Sequence, residues 1–288
     1  MRDFIISTDS TADLPKSYLE DNNILLHPLH YIIDETEYGT DISELSTTEF
    51  YKRMRNGKMP TTSATNPDYI MNLMKEQTDK GFDILHISFS SALSCSHDNA
   101  LFCAQSIMDE AQDVNIVIVD SLCATAGQGL MVYKAVEMKK MGKKMKEIAA
   151  WVNENKQQFA LQFIVDDLHH LVRGGRLSKS MATIGSVLHI QPLLHVDNNG
   201  KLSSIGNIRG RKKALNVLAN NMVKKTKGLK LDIVFISHAD CISDAKYVAD
   251  RVKNKYNIEN IMITEISPTI GAHTGAGAVV ISYYANER

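Results

Sequence analysis

Phe82-Asp83-Ile84-Leu85-His86-Ile87-Ser88 is a short, mainly apolar run. The small polar stretch Phe89-Ser90-Ser91-Ala92-Leu93-Ser94-Cys95-Ser96 follows it and leads into a helix. Val114 to Val119 repeats the pattern: apolar run, small polar residues, helix. Such runs suit buried parallel strands, whose sheet is covered by helices on both faces. Arg2 to Thr8 reads as a third strand of this kind, and Ile24 to Ile33 as another extended stretch. The helices between them carry their own start and stop signals. Ser46 caps a helix that runs to about Asn56 and stops at Gly57, and Asn66-Pro67 pairs a cap with proline at the first helical position. A helix over Thr125 to Lys140 and another from Lys143 to Lys156 complete the first half. This half is therefore α/β with a mostly parallel sheet.

The pattern changes after Lys156–Phe159. Phe159 to Val165 is a strand. His189 to Val196 and Lys201 to Ile208 flank Asp197-Asn198-Asn199-Gly200, a hairpin turn. Helices over Arg211 to Lys225 and Ser243 to Tyr256 alternate with strands over Leu231 to Ser237 and Ile261 to Ile266, and Ala276 to Tyr284 fits either state. The second half is α/β with a mixed sheet. The reading divides the chain into an N-terminal domain, residues 1–157, and a C-terminal domain, residues 158–288.

Composition narrows the function classes. Over 288 residues, 32 Lys and Arg face 33 Asp and Glu, for a net charge of -1. That balance disfavours a protein built to grip nucleic-acid backbone. The basic clusters Lys139 to Lys146, Arg209 to Lys213 and Lys224 to Lys227 lack interleaved aromatics and read as solvated helix faces and ends. No apolar run approaches the ~18–20 residues of a membrane helix, and the N-terminus lacks a signal-peptide core. Cys95, Cys103, Cys123 and Cys241 are scattered, without a C-x-x-C pair, as expected of reduced thiols in a cytoplasmic protein. The chain contains no Walker loop, nucleophile elbow, H-E-x-x-H or dinucleotide fingerprint. No cofactor or metal is expected. Adjacent His169-His170 make a poor metal pair, and Asp9 and Asp120 read as strand-end caps.

Three stretches remain as candidate binding loops: Pro60 to Pro67, dense in hydroxyls; Ser88 to Ser96; and Ser267 to Gly277, whose glycines frame His273. Each follows a strand or opens a helix, where open α/β sheets place their sites. Hydroxyls and a histidine suit a carboxylate or phosphate. The carboxylate cluster that magnesium or acid–base chemistry usually needs is missing. For Asn66 the plainer role is helix capping, and for a lone histidine it is structural.

These residues together resemble the DegV family of bacterial fatty-acid-binding proteins, over essentially the whole chain. The resemblance runs through Ile5-Ile6-Ser7-Thr8-Asp9-Ser10-Thr11-Ala12-Asp13-Leu14, Pro60-Thr61-Thr62-Ser63, Ser90-Ser91-Ala92-Leu93-Ser94 and Val119-Asp120-Ser121. It continues through Leu171-Val172-Arg173-Gly174-Gly175-Arg176-Leu177, Arg209-Gly210-Arg211-Lys212-Lys213-Ala214 and Gly271-Ala272-His273-Thr274-Gly275. It implies two α/β domains with one long-chain fatty acid in a cleft between them. The carboxylate would be held by hydroxyls at Thr62, Ser63 and Ser94, with His273 close by. It further implies a carrier rather than an enzyme. The bound acid would pass to a separate ATP-dependent fatty-acid kinase, which makes acyl phosphate for phospholipid synthesis, with Arg209 serving that step. Two departures stand out: Cys95 replaces a usual glycine, and Ala276 stands in a frequent Gly-Pro-Gly.

Candidate liners for the acyl tail are Phe163, Ile164, Leu168, Met181, Ile184 and Leu188, all equally suited to core packing. The rival reading is a hydrolase of a small acyl ester, with Ser94 as nucleophile and His273 as base; it requires a third, orienting acid.

Overall fold

The structure, a computed structural model, describes residues 2–39, 45–179, 190–256 and 258–288. The predicted parallel sheet forms with strand order β2-β1-β6-β7. Its strands are β1 (Asp3–Asp9), β2 (Leu25–His27), β6 (Phe82–Ser88) and β7 (Ile116–Asp120). The extended stretch Ile24 to Ile33 does not stay in one sheet. Pro28, which lacks an N–H for a ladder, separates β2 from β3 (His30–Ile33). Strand β3 instead joins β4 (Thr36–Tyr38) and β5 (Thr61–Ser63) in a small antiparallel sheet. The hydroxyl-rich segment read as a loop is thus partly a strand.

The second half builds a mixed six-stranded sheet with the order β10-β9-β8-β13-β11-β12. Its members are β8 (Phe159–Ile164), β9 (Ile190–Val196), β10 (Leu202–Arg209), β11 (Val234–His238), β12 (Ile261–Glu265) and β13 (Val279–Tyr284). Only β11 and β12 pair in parallel. The ambiguous C-terminal stretch becomes β13, between β8 and β11. A run of small and β-branched residues packs well there, because both faces are covered.

Helix Thr125–Lys140 touches β1 and β6 of the parallel sheet and β8, β11 and β13 of the mixed sheet. An apolar core accordingly runs continuously from one sheet to the other. Close approach explains its small residues: a Cβ on Gly129 would lie 2.5 Å from the Ala12 carbonyl oxygen. Helices Pro67–Asp79 and Ser96–Glu110 share a second cluster with Ile5 and Ile84 on the outer face of the parallel sheet. Helices Arg211–Lys225 and Ile242–Tyr256 do the same for the mixed sheet. No helix among the described residues is long and apolar enough to cross a membrane.

Candidate functional site

Segments far apart in sequence converge on one cavity. Strand β5 places Thr62 opposite Tyr31 of β3. The turn after β6 places Ser94, whose amide donates to the Ser90 carbonyl at 3.2 Å. The Ser94 Oγ accepts from the Ser96 amide at 3.2 Å, which leaves its O–H free to donate. The glycine-framed segment read as a third loop is largely helix, Pro268–Thr274, and His273 lies in its last turn. Arg176 follows helix His169–Arg173; its Nε donates to the Leu93 carbonyl at 3.0 Å, and its guanidinium also donates to the Gly174 carbonyl. Arg176 thereby ties its own turn to the Ser94 loop.

Thr62, Ser94, Arg176 and His273 all line this cavity, and the rest of the wall is mainly apolar, with Leu29, Phe89, Leu93, Leu161, Phe163 and Val280. The space between the walls, open mouth included, is about 810 Å³. Thr62 Oγ1 and His273 Nε2 are hydrogen-bonded at 2.7 Å. Burial, then Arg176, Arg173 and His170, push His273 down to about 4, so its ring is neutral at neutral pH. A Cβ on Gly174 would lie 2.0 Å from its Nδ1, so this close contact depends on glycine. Arg176 is therefore the cation at the polar end. Burial pulls its pKa below the ordinary value, opposed by Cys95, yet an arginine stays charged in a protein.

The remaining sequence candidates divide. Ser63 lines the cavity, but its hydroxyl donates to Glu37 at 3.0 Å. Phe163 lines it too. Ile164, the next residue along β8, packs on the opposite face with Leu193 and Leu218, because successive strand side chains alternate. Leu168 is buried in the core and is not part of the wall. Met181, Ile184 and Leu188 lie outside the described residues. Arg209 is exposed at the end of β10. Its neighbour in sequence, Arg211, is structural instead, pairing with Asp166 at 3.1 Å and Asp244 at 2.8 Å. Among the described residues the hydrolase arrangement lacks its third member: His273 Nε2 is engaged by Thr62, and its buried Nδ1 has no hydrogen-bond partner. Sequence reading missed Arg176, although its motif carried part of the family resemblance. Nothing in a run of Arg, Gly and Leu reveals which arginine turns inward.

Residues 3–286 match the family model described as "Uncharacterised protein, DegV family". The chain belongs to the DegV family. A DegV domain-containing protein of Clostridium perfringens is 40% identical, over 100% of this chain and 99% of that one. The crystal structure of DegV, a fatty acid binding protein from Bacillus subtilis, superposes with a TM-score of 0.85 at 31% identity, covering 99% of this chain and 100% of the other. A DegV family protein from Thermus thermophilus, described for its fatty acid binding, gives 0.88 at 25% identity, over 99% and 100%. Within this DegV fold, Cys95, where the resemblance implies a glycine, has a backbone conformation that needs none. It sits at φ -78° and ψ 2°, a conformation open to any L-residue.

Replacing Thr62 by valine keeps the shape and removes the hydroxyl. Loss of one such hydrogen bond costs about 0.5–1.5 kcal/mol. Ligand affinity should fall roughly 2- to 10-fold, with a modest drop in the unfolding midpoint because the buried His273 loses its partner. Isothermal titration beside a thermal melt checks this; equal affinity removes Thr62 from the site.

Proposed function

We propose that this chain binds a long-chain fatty acid and presents it to a separate fatty-acid kinase for acyl-phosphate formation. One observation carries the reading: an apolar cavity whose polar end gathers Thr62, Ser94, His273 and Arg176. Each methylene moved from water into such walls gains about 0.8 kcal/mol. A carboxylate taken out of water needs hydrogen bonds and a countercharge. Two hydroxyls supply the former, and the half-buried Arg176 supplies the latter. The neutral His273 ring orders Thr62 without adding charge.

The kinase step rests on the family resemblance and on the exposure of Arg209, which leaves its guanidinium available to a partner. Binding is tested by native mass spectrometry of the protein purified from bacterial cells. A mass adduct that organic solvent releases as a fatty acid is expected. A bare chain that also fails to take up fatty acid on titration rejects the proposal. The kinase step is tested separately, by comparing wild type with Arg209→Ala in a coupled acyl-phosphate assay. Turnover should fall while fatty-acid affinity stays the same.

A further inference from the structure

Asp9, His27 and His86 form a cluster behind the cavity wall, and the site described above uses none of them. They are 2%, 1% and 0% exposed. Asp9 and His27 are cross-strand partners at the carboxyl ends of β1 and β2. His86 lies on β6 opposite Ser7, two residues before Asp9 on β1, and so shares their face of the sheet. One donor atom from each side chain lies within 4.8 Å of the others.

The three side chains are prepared as ligands in different ways. His86 Nδ1 is engaged by Ser7 Oγ at 2.9 Å. That bond orients the ring and leaves Nε2, which has no hydrogen-bond partner, facing Asp9. Asp9 Oδ2 accepts from the Phe89 amide at 2.5 Å and from Gln128 Nε2 at 3.4 Å. Its Oδ1 lies 3.6 Å from His86 Nε2. Asp9 therefore does not cap the following turn, as the sequence suggested; its carboxylate points into this cluster. His27 stacks on His86 with ring centroids 4.3 Å apart, and neither of its nitrogens has a hydrogen-bond partner among the described residues. A buried imidazole with both nitrogens unpaired calls for an occupant beside it.

We propose that Asp9, His27 and His86 are a structural site for a first-row divalent cation of the zinc class. Two imidazoles and one carboxylate suit such an ion, and they supply too few oxygens for calcium or magnesium. Bonds of about 2.0–2.2 Å place tetrahedral ligand atoms roughly 3.3 Å apart, close to the 3.6 Å between Asp9 and His86. A rotation of the His27 ring brings in the third donor. The ion would fasten β1, β2 and β6 just before Leu29 and Phe89, both of which line the cavity.

The test uses the full chain, stripped with chelator and titrated with Co²⁺ and then Zn²⁺. Wild type should take up one Co²⁺ per chain, with the visible absorption of a low-symmetry, four- to five-coordinate ion. At about a hundredfold excess over Kd, Zn²⁺ should raise the melting temperature by on the order of 5 °C. His27→Phe keeps a ring stacked on His86 and removes the donor, so it should fold yet lose both responses. The proposal is overturned if wild type binds no stoichiometric Co²⁺, as expected were a water the partner of His27. It is equally overturned if His27→Phe binds as wild type does, because the ion would then sit elsewhere. Neither outcome depends on fatty-acid binding.

Discussion

Replacing Arg176 by methionine is expected to weaken fatty-acid binding by roughly 10- to 150-fold. Methionine preserves much of the side-chain volume and removes the cation from the polar end of the cavity. A hydrogen bond to a charged group contributes about 1.5–3 kcal/mol, and each 1.4 kcal/mol is about tenfold in affinity. The same change frees the Leu93 and Gly174 carbonyls, so a modest loss of stability should accompany it. Arg176→Lys separates the two effects. It keeps the charge and loses the planar fork that reaches two carbonyls at once, so affinity should be only partly restored. Fluorescent fatty-acid displacement, with melting curves for each variant, reads both. Wild-type affinity in the methionine variant would show that the carboxylate lies away from Arg176.

Asp13→Asn should stabilise the protein at pH 8 by up to roughly 4 kcal/mol. Asp13 Oδ1 accepts from the Ser267 amide at 2.9 Å, which ties the end of the first strand region to the helix bearing His273. Burial pushes its carboxyl up to about 7, and the Ser267 amide and the neighbouring hydroxyls of Thr125 and Ser267 recover only part of that shift. An unfolded aspartate titrates near ~3.9. The folded chain therefore holds a proton that the unfolded chain releases between about pH 4 and 7. Stability from this group is fully present below pH 4, falls as pH rises through 7, and is level above it. At about 1.36 kcal/mol per pH unit, a span of roughly three units gives the figure above. Asparagine keeps an acceptor for Ser267, tolerates the left-handed φ of 51° at this position and has no proton to lose. Urea unfolding at pH 4, 6 and 8 compares the two chains. Parallel profiles would mean that Asp13 is ionised in the folded protein.

Local signals in the sequence determine the structure wherever one short segment contains the whole cause. Ser46 does cap its helix, accepting from the Glu49 amide, and Asn66 accepts from that of Asp68. Strand Phe82–Ser88 and helices Thr125–Lys140 and Arg211–Lys225 have the predicted bounds. Structure departs from the local signal where partners elsewhere override local preference. Thr61–Ser63 has no apolar alternation and is a strand only because β3 offers it a ladder. Ile164 and Phe163 are alike in hydrophobicity, and the pleat separates them. Arg211 and Arg209 look alike in sequence. Asp166 and Asp244 draw one inward, and the other remains outside.

Periodicity, caps and turn residues thus suffice to set the α/β class, the hairpin and most helix ends, because each depends on neighbours within a few residues. The site depends on contacts that no local pattern encodes. Thr62 and His273 meet at 2.7 Å across 211 positions of chain, and Asp9, His27 and His86 meet only because β1 is paired on both sides in one particular register. Strand order and register come from burying whole faces at once. Only the tertiary structure could therefore select, among many hydroxyls, histidines and arginines, the few that share a cavity.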